Sequence, residues 1–452
     1  MRRKLPFLGL LSVLLVSMGC QMNNQDPSDS APTAPAPKAA LLGADISAGG
    51  VSAGVSVGLS VPSVVPTAVP PLFPTNTPTP TNSFMPTRTV TPTNTATATF
   101  TFTPTATFTS TSTPTATSII PDPNLRQAVM EILETATPNA TVTLNAASLA
   151  SLKTLVAVNN SVPGRLYPGW VSMGGPVTSL QGLQNCVNLQ TLYLESNVIT
   201  DLNPLAPLAS SGHLQFLDLD YNDQLSDLSP LSGISSLSGL ELRSGAAEGD
   251  QYYAGALSDL GPVSKLVNLD MLEFSAQPIK SLAPLASLGK LTRLYMIGLN
   301  GNNGPADGSV AAFQGLTGLQ ALYAQYNKIS DISSLAGLSR LQVIDLGNNS
   351  ITDISPLAGL GNVTTLHLQY NRISGVLPTL DGLGNQATPL DLVLSDNTDI
   401  SGNTINNINS LQKAAGLKDA SSVLNITHET GITQDQISAL QGADPQLTIV
   451  GP

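Results

Sequence analysis

Residues 341–360 read LQVIDLGNNSITDISPLAGL, and residues 363–383 read VTTLHLQYNRISGVLPTLDGL. Both follow one frame, L-x-x-L-x-L-x-x-N-x-I-x-D-I-x-P-L-x-x-L. In L-x-L the alternate side chains point to opposite faces of a short strand, so the leucines go inward and the residues between them line an open face. The D-I-x-P-L segment that follows suits a tight turn or a 3₁₀ piece.

The frame extends in both directions. Residues 189–208 read LQTLYLESNVITDLNPLAPL and residues 319–338 read LQALYAQYNKISDISSLAGL. The fourth position, the leading core residue, falls at Leu155, Leu192, Leu217, Leu240, Leu272, Leu294, Leu322, Ile344, Leu366 and Leu392. Weaker echoes at Leu424–Ile426 and Leu447–Ile449 carry the pattern towards the C-terminus. Several steps are 22 residues, for example 272 to 294 and 344 to 366. A fixed period of this size defines stacked supersecondary units, each of which buries its apolar edge only against its neighbours.

Five residues after the leading residue stands an asparagine: Asn160, Asn197, Asn222, Asn327, Asn349, Asn371 and Asn397. At a buried bend its amide can bond backbone groups of its own and adjoining turns, forming a ladder. The turns led by Leu240, Leu272 and Leu294 lack it, with Gln277 in the second, and this predicts local irregularity. Insertions are expected at 161–176, 244–262, 298–312 and 374–390.

The pattern resembles internalin-like leucine-rich repeats. The resemblance includes IPDPNLRQAVMEIL (120–133), which looks like that family's helical cap, with Asp122 as N-cap, Pro123 at the first helical position, and Leu125, Val129 and Ile132 on one face. It covers roughly residues 119–400. It implies an α/β solenoid: a leucine-rich-repeat horseshoe with a parallel concave sheet and a helical N-terminal cap. The implied function is extracellular recognition, without naming a ligand.

The expected organisation is a leader at 1–19, a Thr/Pro-rich linker at 20–118, a cap at 119–154, repeats at 155–400, and degenerate repeats with a C-terminal cap at 401–452. Arg2, Arg3 and Lys4 precede a largely apolar run, Leu5–Val16, too short to span a bilayer. VSMGC then resembles a bacterial lipobox, with Cys20 as the acylated residue and acyl chains as the membrane attachment; the alternative is ordinary cleavage and secretion. Either way the chain is exported. In the linker, Thr occupies every odd position from Thr87 to Thr117 and proline recurs. Little apolar area is available to offset ordering entropy, so this reads as an extended spacer. Cys186, in LQNCVNL, reads as a small buried apolar residue.

The chain carries 18 Lys/Arg and 30 Asp/Glu. Of these, 13 and 27 lie in residues 119–452, a balance of 13 − 27 = −14. So acidic a domain repels phosphate backbones and excludes nucleic acid as a partner.

Counting outward from each L-x-L places Tyr193, Glu195, Asp218, Asp220, Glu241, Arg243, Glu273, Arg293, Tyr295, Tyr323, Asp345 and His367 on the concave face, bordered by Tyr221, Tyr326 and Tyr370. Exposed tyrosines among charges suit recognition; alternatively the acids only keep an open surface soluble. The expected partner is a surface protein, with glycan or cell-envelope polysaccharide, or a purely structural role, as alternatives. No catalytic constellation is found. The three histidines, His213, His367 and His428, fall in separate turns, and Gly289-Lys290 leads into Leu291 rather than a phosphate loop. Asp218–Asp223 resembles a calcium loop but has Asp223 where glycine belongs and Ser229 where glutamate belongs, leaving at most a loose pair, Asp218 and Asp220. Neither cofactor nor metal is expected, and the chain is read as a non-enzyme.

Overall fold

The computed structural model describes residues 119–137, 141–159, 173–245, 255–299, 310–385, 387–419 and 421–451. The leader, Cys20, the linker, Asn160 and the middles of three insertions (161–172, 246–254, 300–309) lie outside these residues.

Each leading residue sits at the centre of a three-residue strand. The strands are β1 Thr154–Val156, β2 Thr191–Tyr193, β3 Phe216–Asp218, β4 Gly239–Glu241, β5 Met271–Glu273, β6 Arg293–Tyr295, β7 Ala321–Tyr323, β8 Val343–Asp345 and β9 Thr365–His367. After β10 (Gly375–Val376) come β11 (Asp391–Val393), β12 (Ile405–Asn407), β13 (Val423–Asn425) and β14 (Thr448–Val450). Twelve of them form one parallel sheet in the order β1 to β9, β11, β13, β14. Leading residues pair with leading residues throughout: Leu155 with Leu192, Leu240 with Leu272, Leu366 with Leu392, Leu392 with Leu424. Their side chains are fully enclosed, each contributing about 1.5–3 kcal/mol by burial.

The convex side returns through 3₁₀ pieces at the predicted proline segments, Asn203–Ser210, Ser229–Leu231 and Ser355–Leu357. Asp227 and Asp353 start two of these by accepting the backbone N–H of Ser229 and Ser355, both at 2.8 Å. The N–H and hydroxyl of Ser229 hold the Asp227 carboxyl below its usual range.

The N-terminal edge is closed by helix α1, Pro123–Ala136, whose N-cap is Asp122. One Asp122 oxygen accepts from the N–H groups of Asn124 and Leu125, and the other from Thr178 and Ser179. The cap residue thus also fastens the helix to the array. Leu125, Ala128, Val129 and Leu133 are buried, whereas Ile132 is only half-buried; the face is turned slightly from the predicted one. A second helix, α2 (Ala146–Ala150), begins at Asn145 with a reciprocal capping box to Ser148. At the other end α3, Gln434–Ala443, precedes β14. No helix among the described residues is long and apolar enough to cross a membrane.

The ladder is present. Asn349 Oδ1 accepts from Ile329 N at 3.0 Å, while its Nδ2 donates to Ala324 O and Leu346 O, both at 2.9 Å. Asn197, Asn222, Asn327, Asn371 and Asn397 repeat the arrangement. The expected irregularity where asparagine is missing does not occur in the sheet, because register runs unbroken through β4, β5 and β6. Gln277 substitutes directly, donating to Leu242 O at 2.6 Å and accepting from Leu257 N at 3.2 Å. At the Leu294 turn, Leu299 fills the position with a buried side chain and its N–H goes to Asn327 of the following turn. The 374–390 segment also differs from a loop insertion, because it opens with β10, which pairs with β12 in a separate parallel ribbon.

A second regularity accompanies the ladder. Among the described residues, the eight non-glycine residues with positive φ are Ser196, Tyr221, Ala276, Tyr326, Asn348, Tyr370, Asp396 and His428. Each immediately precedes a ladder residue. A left-handed residue costs about 1–2 kcal/mol unless it is glycine, Asn or Asp, so the bend is held by the amide bonds that follow it.

The last ladder position holds Glu429, fully enclosed, whose carboxylate accepts from Asn397 N at 2.6 Å and Ile405 N at 2.9 Å. Burial pushes this carboxyl up to about 7 against the pull of the two N–H bonds; Asp396 adds to the rise and His428 opposes it. His428 Nδ1 lies 2.6 Å from Asp396 Oδ1.

Two outcomes follow. Asn349→Ala strands the Ile329 N–H and removes one of two amide donors from each of the Ala324 and Leu346 carbonyls, and should cost about 1–3 kcal/mol in urea unfolding, against under about 0.5 for the exposed Arg340→Ala. Glu429 binds its proton more tightly folded than unfolded, where a glutamate titrates near pH 4.3. Its contribution is therefore fully present below about pH 4 and is lost as pH rises through about 7. The melting temperature of the protein should fall between about pH 5 and 8 relative to that of Glu429→Gln; parallel curves would refute this.

Candidate binding face

The sheet brings eight of the predicted residues into one row. Register pairs Tyr193 with Asp218, Asp218 with Glu241, Glu241 with Glu273, and Glu273 with Tyr295. The row continues through Tyr323 and Asp345 to His367. Neighbouring parallel strands lie about 4.8 Å apart, so these side chains stand flank to flank. Arg293 belongs to the parallel row on the other side of the leading residues, with Met271 and Ala321. Glu195, Asp220 and Arg243 lie two residues further along their strands than the first row.

Close spacing corrects the expectation of an open acidic surface. Glu195 and Asp220 are 0% exposed, and Asp218, Glu273 and Tyr295 are also buried. Alternation decides which side of a strand a residue takes, but bulky neighbours in register then close over one another. The acids are knitted into the backbone and each other. Asp218 Oδ1 accepts from Asp220 N at 3.0 Å, and Asp220 Oδ1 from Arg243 N at 2.7 Å. Arg243 places Nε and Nη2 on Glu273 Oε1 at 2.7 and 2.5 Å, where Ser275 also donates at 3.3 Å. The carboxylate oxygens of Asp218, Asp220 and Glu241 lie within 4.8 Å of one another, the one such group of three among the described residues. The ring of Tyr193 lies 5.4 Å from that of Phe216, tilted by 51°. Phe216 also fills the space above Gly239, where an added Cβ would meet its ring at 2.6 Å.

At the centre of the face, Tyr295 and Tyr323 are stacked, with ring centroids 4.8 Å apart and planes 2° from parallel. Burial pushes the Tyr295 phenol far above its ordinary range, with Tyr323, Glu273 and Glu241 adding and Arg293 opposing. Arg293 itself reaches outward to Asp270 at 2.7 Å.

Beyond the tyrosines the face opens. Gln325 Nε2 donates to Asp345 Oδ2 at 2.9 Å. His367 stands between two carboxylates, Nδ1 3.7 Å from Asp345 and Nε2 3.3 Å from Asp391. Burial works against a charged ring, but the bonds and charges of the two aspartates outweigh it and push the imidazole up to about 9, so it is an imidazolium at neutral pH. Asp391 was not among the predicted face residues. Its signal was present, since it directly precedes the leading residue Leu392. Cys186 is buried as expected, which pushes its thiol up to about 12.

Comparison with known proteins agrees with this architecture. Residues 317–359 match the family model described as leucine-rich repeats (2 copies). No curated protein sequence matches. Among solved structures, an internalin (InlF) of Listeria monocytogenes is 24% identical with a TM-score of 0.50, covering 74% of this chain and 89% of that one. An internalin C2 of the same organism is 33% identical with a TM-score of 0.43, over 55% of this chain and 93% of that one. The functional domain of InlJ, also from L. monocytogenes, is 18% identical with a TM-score of 0.43, over 74% and 70%. The protein is a leucine-rich-repeat solenoid. Within that class its fold is similar to that of the internalin InlF.

The two arginine pairs separate structural from peripheral charge. Glu273 is enclosed, so Arg243→Ala leaves a buried carboxylate without its guanidinium and should cost about 3–5 kcal/mol. The Arg293–Asp270 pair is only half-buried on both sides, and Arg293→Ala should cost under about 1 kcal/mol. Equal losses in chemical unfolding would contradict this division of the face.

Proposed function

We propose that this chain is an exported surface-recognition module that binds a protein partner on the concave face. Acyl chains on Cys20 hold it to the membrane, and the Thr/Pro-rich segment at 20–118 spaces the repeats away from it. The observation that carries the reading is the unbroken twelve-strand parallel sheet. From β7 onward it offers tyrosine, carboxylate, imidazolium and amide groups on a backbone already ordered, and a partner bound there meets little further ordering cost. The tyrosines of the face match the aromatic enrichment of protein interfaces. The stacked pair Tyr295–Tyr323 favours a second reading, saccharide binding, in which a sugar ring packs against the aromatic platform.

The test is binding of the intact protein to arrayed extracellular proteins and glycans at low and high salt. Val343→Arg and Thr365→Arg, on the concave side of β8 and β9, should abolish capture, and Ser355→Arg on the convex side should not. Loss with the convex variant, or none with the concave ones, sinks the concave-face reading. A protein contact led by charge should weaken with salt, whereas sugar stacking should barely respond.

A further inference from the structure

The two halves of the concave face differ in what they leave open. From β2 to β6 the polar side chains are mostly buried and bonded to one another, as described above. From β7 to β11 acceptors outnumber donors. Gln325 gives a hydrogen to Asp345, but its Oε1 takes none, and the Oε1 of Gln369 also takes none. Between these two glutamines in register lies Gly347, over which Gln369 leans, so that a Cβ there would come within 2.6 Å of Gln369 Nε2. Asp345 and Asp391 set two negative charges against one imidazolium, His367, and the Asp391 side chain is 50% exposed. Tyr323 stacks one ring face on Tyr295, leaving the other on the side of β8.

Enclosed amide oxygens without donors are unfavourable as they stand. The terminal torsion of a glutamine is broad and soft, so a small rotation turns each oxygen towards the face. What the patch lacks is therefore several N–H donors and one positive charge. Hydroxyl groups of a sugar would bring donors without charge. An ammonium is a compact point charge with three donors on one nitrogen. A guanidinium brings charge, five donors spread over a plane, and a flat surface that stacks on a tyrosine ring.

We infer that the patch formed by Gln325, Asp345, Gln369 and Asp391 beside Tyr323 receives an arginine side chain of the protein partner. This rests on the concave-face reading and deepens it by naming the partner's chemistry and the half of the face it occupies. The acid-rich half, β2 to β6, then serves as scaffold.

The experiment titrates the intact protein, to millimolar concentration, against a blocked, labelled Gly-Arg-Gly-Arg-Gly peptide and its lysine and citrulline versions, read by fluorescence anisotropy. The arginine peptide should bind at least about tenfold more tightly than either of the others. Gln369→Leu and the isosteric Asp391→Asn should each weaken it about three- to tenfold, and the convex Asp353→Asn should leave it unchanged. Melting curves confirm that each variant is folded. Equal affinity for arginine and lysine, equal affinity for citrulline, unchanged binding in both face variants, or no binding of any peptide overturns the inference. Should the peptides fail while Val343→Arg still abolishes capture of a whole partner, the arginine site falls and the concave-face reading stands.

Discussion

Each turn must leave its strand through a bend, and at that bend main-chain groups lose their strand partners inside the protein. The ladder amide resolves this. One asparagine accepts an N–H from the preceding turn and donates to carbonyls of the preceding turn and its own, so every rung is shared by two turns. Removing it would leave the preceding turn with an unmet buried N–H and weaken bonds in both turns, so the array behaves as a chain of nearest neighbours. The demand is for an acceptor and donors at that place rather than for asparagine itself. Gln277 meets it with a longer side chain, and at Leu299 the Asn327 amide of the following turn takes the N–H instead. Glu429 meets only the acceptor half, and burial raises its carboxyl against the two N–H bonds it accepts.

The same bend shapes the rim of the face. The residue before each rung is left-handed, a conformation that Asn348 and Asp396 adopt at little cost and tyrosine does not. Such strain persists where the surroundings over-determine it. At Tyr221 the surroundings can be named: the ring is half-buried near Arg243, whose guanidinium donates to the phenol oxygen. Tyr326 and Tyr370 hold the same place in later turns, where Tyr370 is exposed. A repeated backbone requirement thus sets tyrosines along one border of the sheet.

Much of this was legible in the sequence because it is periodic and local. The leucine frame, the Asp122–Pro123 cap, the proline turns and the asparagine rungs each follow from short-range spacing. Other features were not legible. Alternation told which side Glu195, Asp218 and Asp220 take but not that their neighbours would bury them. The ribbon of β10 and β12 is too short and irregular in register to show a period of two. The left-handed positions share no residue type, since serine, alanine, tyrosine and histidine all occupy them, so only backbone geometry reveals the rule.

These features bear together on what the face can do. Parallel strands of three residues allow little independent movement, and the buried lattice from Asp218 through Arg243 to Glu273 ties β3, β4 and β5 together across their side chains as well as their backbones. Polar groups that already satisfy one another gain little from a ligand, because binding would only exchange one set of hydrogen bonds for another. Groups that remain unsatisfied gain more. On the proposed concave-face reading, recognition would therefore concentrate where the lattice ends, beyond the tyrosine stack, on a surface held rigid by the rest of the sheet.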